Sequence, residues 1–106
     1  MDLPLPTPAR RAIAQLGQDV SKARRRRRLT QASLSERSGV SLATLKRLEK
    51  GDSRIAIEAL ARTLHVLGEV ERLAMLLDTG EDEIGLALMD EQLPKRVRRS
   101  RSSGAL

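Results

Sequence analysis

The sequence predicts an all-α fold, a compact set of five short helices between two tails, and three observations carry that expectation. Apolar residues return every three or four positions through most of the chain, the spacing of a helical stripe. Small capping residues and glycines punctuate the pattern at Thr30, Gly39, Ser41, Gly51 and Gly68. No stretch alternates apolar and polar residues as a half-buried strand would, and no segment repeats.

Residues 1–8, MDLPLPTP, hold three prolines and are expected to form a flexible arm, with Thr7 as the N-cap and Pro8 at the first helical position. Ala9, Ile13, Leu16, Val20 and Ala23 then give the first helix one apolar stripe, and residues 24–28 supply a basic last turn at the negative end of its dipole. Thr30 caps a short second helix over 31–38, with Ala32, Leu34 and Ser35 inward and Gly39 ending it. Ser41 caps a third helix over 42–50, closed by Gly51. Its Leu42, Leu45 and Leu48 share one side, while Ala43, Lys46, Arg47 and Lys50 lie on the other. Ile57, Leu60, Ala61, Leu64 and Leu67 stripe a fourth helix that ends at Gly68. A fifth is expected over about 69–77, where the run Leu73-Ala74-Met75-Leu76-Leu77 is apolar on more than one face. Residues 84–89 are ambiguous between helix, strand and irregular structure.

Composition excludes several functions. The 106 residues include no Cys, Phe, Tyr or Trp and a single His, so no thiolate or multi-His metal site, cysteine nucleophile or aromatic stacking platform can be assembled. No cofactor and no metal are expected, and no set of nucleophile, base and orienting group can be drawn from what remains. His65, away from the apolar stripe, is expected at the surface. The longest apolar run is five residues, too short for a membrane span, and the first residues lack the apolar core of a secretory signal. A soluble, cytoplasmic, non-enzymatic protein is the expectation.

Charge is polarised along a chain of net charge +6. Residues 1–54 carry 13 basic and 5 acidic side chains, residues 69–91 carry 1 and 8, and residues 92–106 carry 5 and none. A basic half suits a polyanion and an acidic half suits some other surface. Residues 24–28 cannot all meet one DNA surface, because five consecutive helical positions point around the axis; long-range attraction explains the run as well as direct contact does.

The sharpest signal is QASLSERSGVSLATLKRL, residues 31–48: two short helices joined by a Gly-containing corner, with Leu34, Val40, Leu45 and Leu48 holding the angle. Such a corner presents the second helix outward, sized for a major groove about 12 Å wide. In the longer run LTQASLSERSGVSLATLKRLEKGDSR the sequence resembles the Xre/lambda-repressor-like helix-turn-helix family over roughly residues 12–78, with Ser35 in place of the usual Ala and Ser38 where an apolar residue is more common. Both departures are expected to weaken packing without changing the fold.

The resemblance implies a lambda-repressor-like DNA-binding domain over residues 9–78; charge and composition make 79–94 an acidic and apolar dimer or partner segment and 95–106 a basic tail expected to be disordered. By position the resemblance places Ala43, Thr44, Lys46 and Arg47, with Leu42, at or near the bases, and Gln31, Ser41, Lys50 and Arg54 at phosphates. It also makes Arg24 and Glu49 a structural ion pair between the first and third helices. Chemistry singles out Arg47, whose guanidinium can bond guanine O6 and N7 together. Lys46 suits guanine or a phosphate, Ala43 a thymine methyl, and Thr44 a base or its own helix, whereas Leu42 is expected half-buried.

One recognition helix reads few base pairs, so a homodimer on a palindromic operator in double-stranded DNA is expected. Its seam, or a partner surface, is assigned to Val70, Leu73, Leu76 and Leu77, with Ile84, Leu86, Leu88 and Met89 beyond; alternatively the fifth helix only completes a small core. The end of the chain, GLALMDEQLPKRVRRSR, resembles antitoxins of the HipB type, which implies autorepression and a HipA-like serine/threonine kinase toxin as partner. A stand-alone Xre regulator is the alternative.

Overall fold

A computed structural model describes residues 3–78 and 83–96, without side-chain detail for residues 83–86. Six helices are present among the described residues and no strand: α1 (Thr7–Arg26), α2 (Gln31–Ser38), α3 (Leu42–Glu49), α4 (Ile57–Val66), α5 (Val70–Ala74) and α6 (Glu83–Glu91). The all-helical expectation holds, and the ambiguous stretch 84–89 is helical. α1 packs on α3, α2 on both α3 and α4, and α4 on α5.

α1 starts one turn position earlier than its capping pattern suggests. Pro6 is the N-cap and Thr7 already lies in the helix, with no side-chain cap. The Arg10 N–H, one of the two donors a Thr7 cap could use, bonds the Pro6 carbonyl at 3.0 Å instead. At the other end the helix stops at Arg26. Arg28 takes a left-handed φ of 57°, and the Leu29 N–H returns to the Arg24 carbonyl at 3.1 Å, so residues 24–28 close the helix instead of extending it.

Val20, Ala23, Leu34, Val40, Leu45, Leu48 and Leu67 form the core, flanked by Leu16, Leu29, Ile55, Ala59, Leu60 and Val66. Among the residues expected on the apolar sides, Ala32, Leu42 and Ile57 are exposed, Ile57 to 71%, and Ile55, two residues before Ile57, packs against the core. Thr63 is fully buried and satisfies its hydroxyl by donating to the Ala59 carbonyl at 2.9 Å.

The contact between α1 and α3 depends on Gly17. A Cβ built there would lie 2.5 Å from the Leu48 carbonyl oxygen and 2.9 Å from that of Glu49, so only a glycine lets the helix axis pass this close to the end of α3. α5 is shorter than its apolar run implies. It ends at Ala74, and residues 75–77 turn away, with Leu76 exposed and Leu77 90% exposed. A five-residue helix has few internal hydrogen bonds to carry it further.

Candidate nucleic-acid interface

The corner between α2 and α3 is built from short polar side chains. Thr30 caps α2 by accepting from the Ser33 N–H at 2.9 Å, and Gly39 ends it at φ 77°, a conformation other residues adopt at a cost. The Ser35 hydroxyl donates to the Val40 carbonyl at 2.6 Å. Ser38 accepts from the Val40 N–H at 3.2 Å and donates to the Ser35 carbonyl at 3.4 Å. Besides being small, these two serines satisfy both backbone groups of Val40, whose side chain is buried in the angle between the helices. Ser41 then caps α3, accepting from the Thr44 N–H at 3.1 Å and donating to the Thr44 hydroxyl at 2.8 Å.

A second device sets the tilt of α3. The Arg24 guanidinium donates to both oxygens of Glu49, at 2.7 and 3.0 Å, and to the Leu29 carbonyl at 2.8 Å. Gln31 donates to the same carboxylate at 2.9 Å. The Glu49 side chain is 7% exposed and that of Arg24 12%. Burial pushes the Glu49 carboxyl up, and the hydrogen bonds from Arg24 and Gln31 together with the Arg24 charge more than reverse this, leaving it below the ordinary carboxylate range. One bidentate cluster therefore ties α1, α2 and α3 at a single point.

What this framework presents is a polar helix face. Leu45 and Leu48 are buried, whereas Ser41, Leu42, Ala43, Lys46, Arg47 and Lys50 are exposed, and so is Arg54 beyond the helix. Leu42, expected half-buried, sits at the margin of that face. Thr44 is partly buried, with its hydroxyl already bonded by Ser41. Gln31 is partly buried too. Its amide nitrogen is engaged by Glu49 and retains a second hydrogen for another acceptor.

Arg47 is 48% exposed, and its Nε donates to Asp52 at 2.8 Å. The other Asp52 oxygen accepts the Arg54 backbone N–H at 2.8 Å. That N–H, and then the Arg47 guanidinium, hold the Asp52 carboxyl below its ordinary range. Asp52 is not among the residues that the sequence singles out. The only signal was an acid five residues after Arg47, across the reversal at Gly51, where helical periodicity no longer says what faces what.

A separate apolar groove of about 320 Å³ runs between α1, α4 and α5, lined by Leu16, Val20, Leu60, Leu64, Leu67 and Leu73 among others. Val70 and Leu73 are partly buried, and Leu76, Leu77, Leu88 and Met89 are exposed. The side chains of Ile84 and Leu86 lie outside the described residues, as do residues 97–106 of the basic tail. Among the described residues no cluster of acids and His could hold a metal ion, and no helix is long and apolar enough to cross a membrane.

Two short helices locked at a corner, the second turning a polar and basic face outward, define a helix-turn-helix DNA-binding protein. Residues 20–73, half of the chain, match the family described as Helix-turn-helix, and the chain belongs to this Xre/lambda-repressor-like family of DNA-binding transcription regulators. No curated protein and no solved structure matches it.

Proposed function

We propose that this protein is a homodimeric, sequence-specific repressor, and that it serves as the antitoxin of a toxin–antitoxin operon, autorepressing its promoter and neutralising a HipA-like kinase. The observation that carries the DNA-binding reading is the α3 surface, where Ala43, Lys46 and Arg47 stand exposed beyond a turn that leaves no freedom at Val40. In this reading α3 enters the major groove, Arg47 bonds a guanine, Lys46 reads or neutralises, and Ala43 meets a thymine methyl. Thr44, partly buried and bonded to Ser41, reaches a base only through its outward hydroxyl hydrogen. Ser41, Lys50 and Arg54 contact phosphates, joined by Gln31 through its second amide hydrogen.

Dimerisation is supported by apolar surface that the monomer leaves uncovered. Leu76, which with Leu73 lines the groove, is exposed, and so are Leu77 and Leu88. Val70 and Leu73 contribute to both core and seam, and Ile84 and Leu86 fall on the same stretch of sequence. The acidic residues among 69–91 keep this part off DNA and suit a protein partner.

Co-expression with the neighbouring gene of its operon, followed by purification and footprinting on the shared promoter, tests the proposal. A stoichiometric complex that protects a palindromic site is expected. A protein that protects the site alone, with no co-purifying partner, is the stand-alone regulator, and the antitoxin role falls. Arg47→Glu should abolish specific protection while leaving the helical content unchanged; retained protection removes Arg47 from the readout.

A further inference from the structure

An acidic side chain on a surface that faces a polyanion costs affinity unless it does something else. Asp52 is such a residue. It is the immediate neighbour of the exposed α3 face, and its two oxygens are committed separately, one to Arg47 Nε and one to the Arg54 backbone N–H, both at 2.8 Å. Because the backbone contact anchors the carboxylate to the turn that follows α3, the carboxylate is a fixed point to which a long, rotamer-rich side chain is tied.

We propose that Asp52 is the positioning residue for base recognition: it fixes the Arg47 guanidinium through Nε and reserves the Nη1 and Nη2 edge for a guanine. An arginine recognises guanine bidentately through two neighbouring nitrogens, and it has two such edges, Nε with one terminal nitrogen or the terminal pair. Commitment of Nε to Asp52 removes the first choice. Among the described residues neither Nη1 nor Nη2 of Arg47 makes a hydrogen bond, so the terminal pair stays available. With one edge and one approach direction, O6 and N7 of guanine are met in a single geometry, and less side-chain freedom is lost on binding. Asp52 thus trades non-specific affinity for discrimination. This inference rests on Arg47 being the base reader.

The probe is a duplex selected by the wild-type protein from randomised DNA, compared with its single-base variants at each guanine and with a shuffled duplex of the same composition. Asp52→Asn is the informative variant, since the amide oxygen still accepts the Arg54 N–H while the carboxylate charge that accepts from Arg47 is removed. It should reduce the preference for one or two guanines by about twofold to tenfold, the range expected from freeing one rotamer-rich side chain. Affinity for the shuffled duplex should stay the same or rise, which a general loss of structure would not produce. Those guanines should be the ones that Arg47→Ala also weakens, and in the Arg47→Ala background Asp52→Asn should have no further effect on preference. Full guanine discrimination by Asp52→Asn, or an equal loss in both backgrounds, overturns the assignment of Asp52 while leaving Arg47 as the reader. Full discrimination by Arg47→Ala overturns the reading of Arg47 and the role of Asp52 together.

Discussion

Gly17→Ala adds one methyl group where α1 meets the end of α3, and the structure sets what that methyl must do. Its carbon would sit 2.5 Å from the Leu48 oxygen, 2.9 Å from the Glu49 oxygen and 3.0 Å from the Gly51 nitrogen, all backbone atoms with no side chain to swing aside. Ordinary contact starts near 3.4 Å, so the two helices must part by about 1 Å in a close-packed interior. Overpacking of this kind costs about 1–3 kcal/mol. Alanine returns about 0.5–1 kcal/mol through its better helix propensity in the middle of α1. Because both clashing carbonyls belong to the last turn of α3, which Arg24 also holds through Glu49, the strain has no soft outlet. The upper part of the range applies, for a net loss of about 1–2 kcal/mol. In a domain this small that lowers the melting temperature by about 5–15 °C. Thermal unfolding followed by circular dichroism reads this, with Gln18→Ala on the exposed face of α1 as the control that should change little. A Gly17→Ala melting temperature equal to or above that of the wild type would refute the claim that close helix approach, and not chance, placed a glycine there.

Two further predictions concern the cluster at Glu49. Arg24→Met leaves a mostly buried carboxylate without its guanidinium and should destabilise the domain toward the lower end of about 3–5 kcal/mol, since Gln31 still bonds one oxygen; urea unfolding measures it, and a loss below about 1 kcal/mol would reduce the pair to a surface contact. The pH dependence follows from the lowered Glu49 pKa: its stabilisation is fully present above the unfolded carboxyl value of roughly 4.3 and is lost as pH falls through the lower folded value. Melting temperatures measured down an acid series should therefore fall more steeply for the wild type than for Glu49→Gln, and parallel curves would count against a native-state preference for the ionised form.

The lowered Asp52 pKa adds a functional counterpart with the same sign. The Asp52 carboxylate is charged above the ordinary aspartate range and stays charged somewhat below it, so its hold on Arg47 is constant at neutral pH. Arg47 is thus oriented by a partner that does not titrate under the conditions in which DNA is bound. Titration cannot switch this contact on or off near neutrality.

Local signals carried much of this protein. Thr30, Gly39, Ser41 and Gly51 act within a few residues of themselves, through a cap hydrogen bond or a left-handed φ, and the limits of α2 follow from such signals directly. Stripe periodicity found Val20, Leu34, Leu45 and Leu48 because a buried helix face needs that spacing whatever it packs against. Where two local signals competed, periodicity and capping rules did not resolve them. At the start of α1 the Pro6 carbonyl takes the Arg10 N–H that a Thr7 cap could use, and the apolar run 73–77 continues past the end of α5.

The remaining features required elements distant in sequence to meet. Gly17 is not one of the stripe positions of α1, and what requires a glycine there is the approach of the α3 carbonyls. Ser35 and Ser38 look like poor packing residues until the corner brings both backbone groups of Val40 within reach. Asp52 has no partner by spacing, and acquires one because the chain reverses at Gly51. The amino-acid order determined the limits of α2, the start of α3 and the main apolar side of most helices, since those choices depend on bonds spanning three or four residues. Tertiary structure decided which helix approaches which, how closely, and which polar groups find one another, because each of those outcomes depends on excluded volume and hydrogen-bond geometry between atoms that the sequence keeps apart.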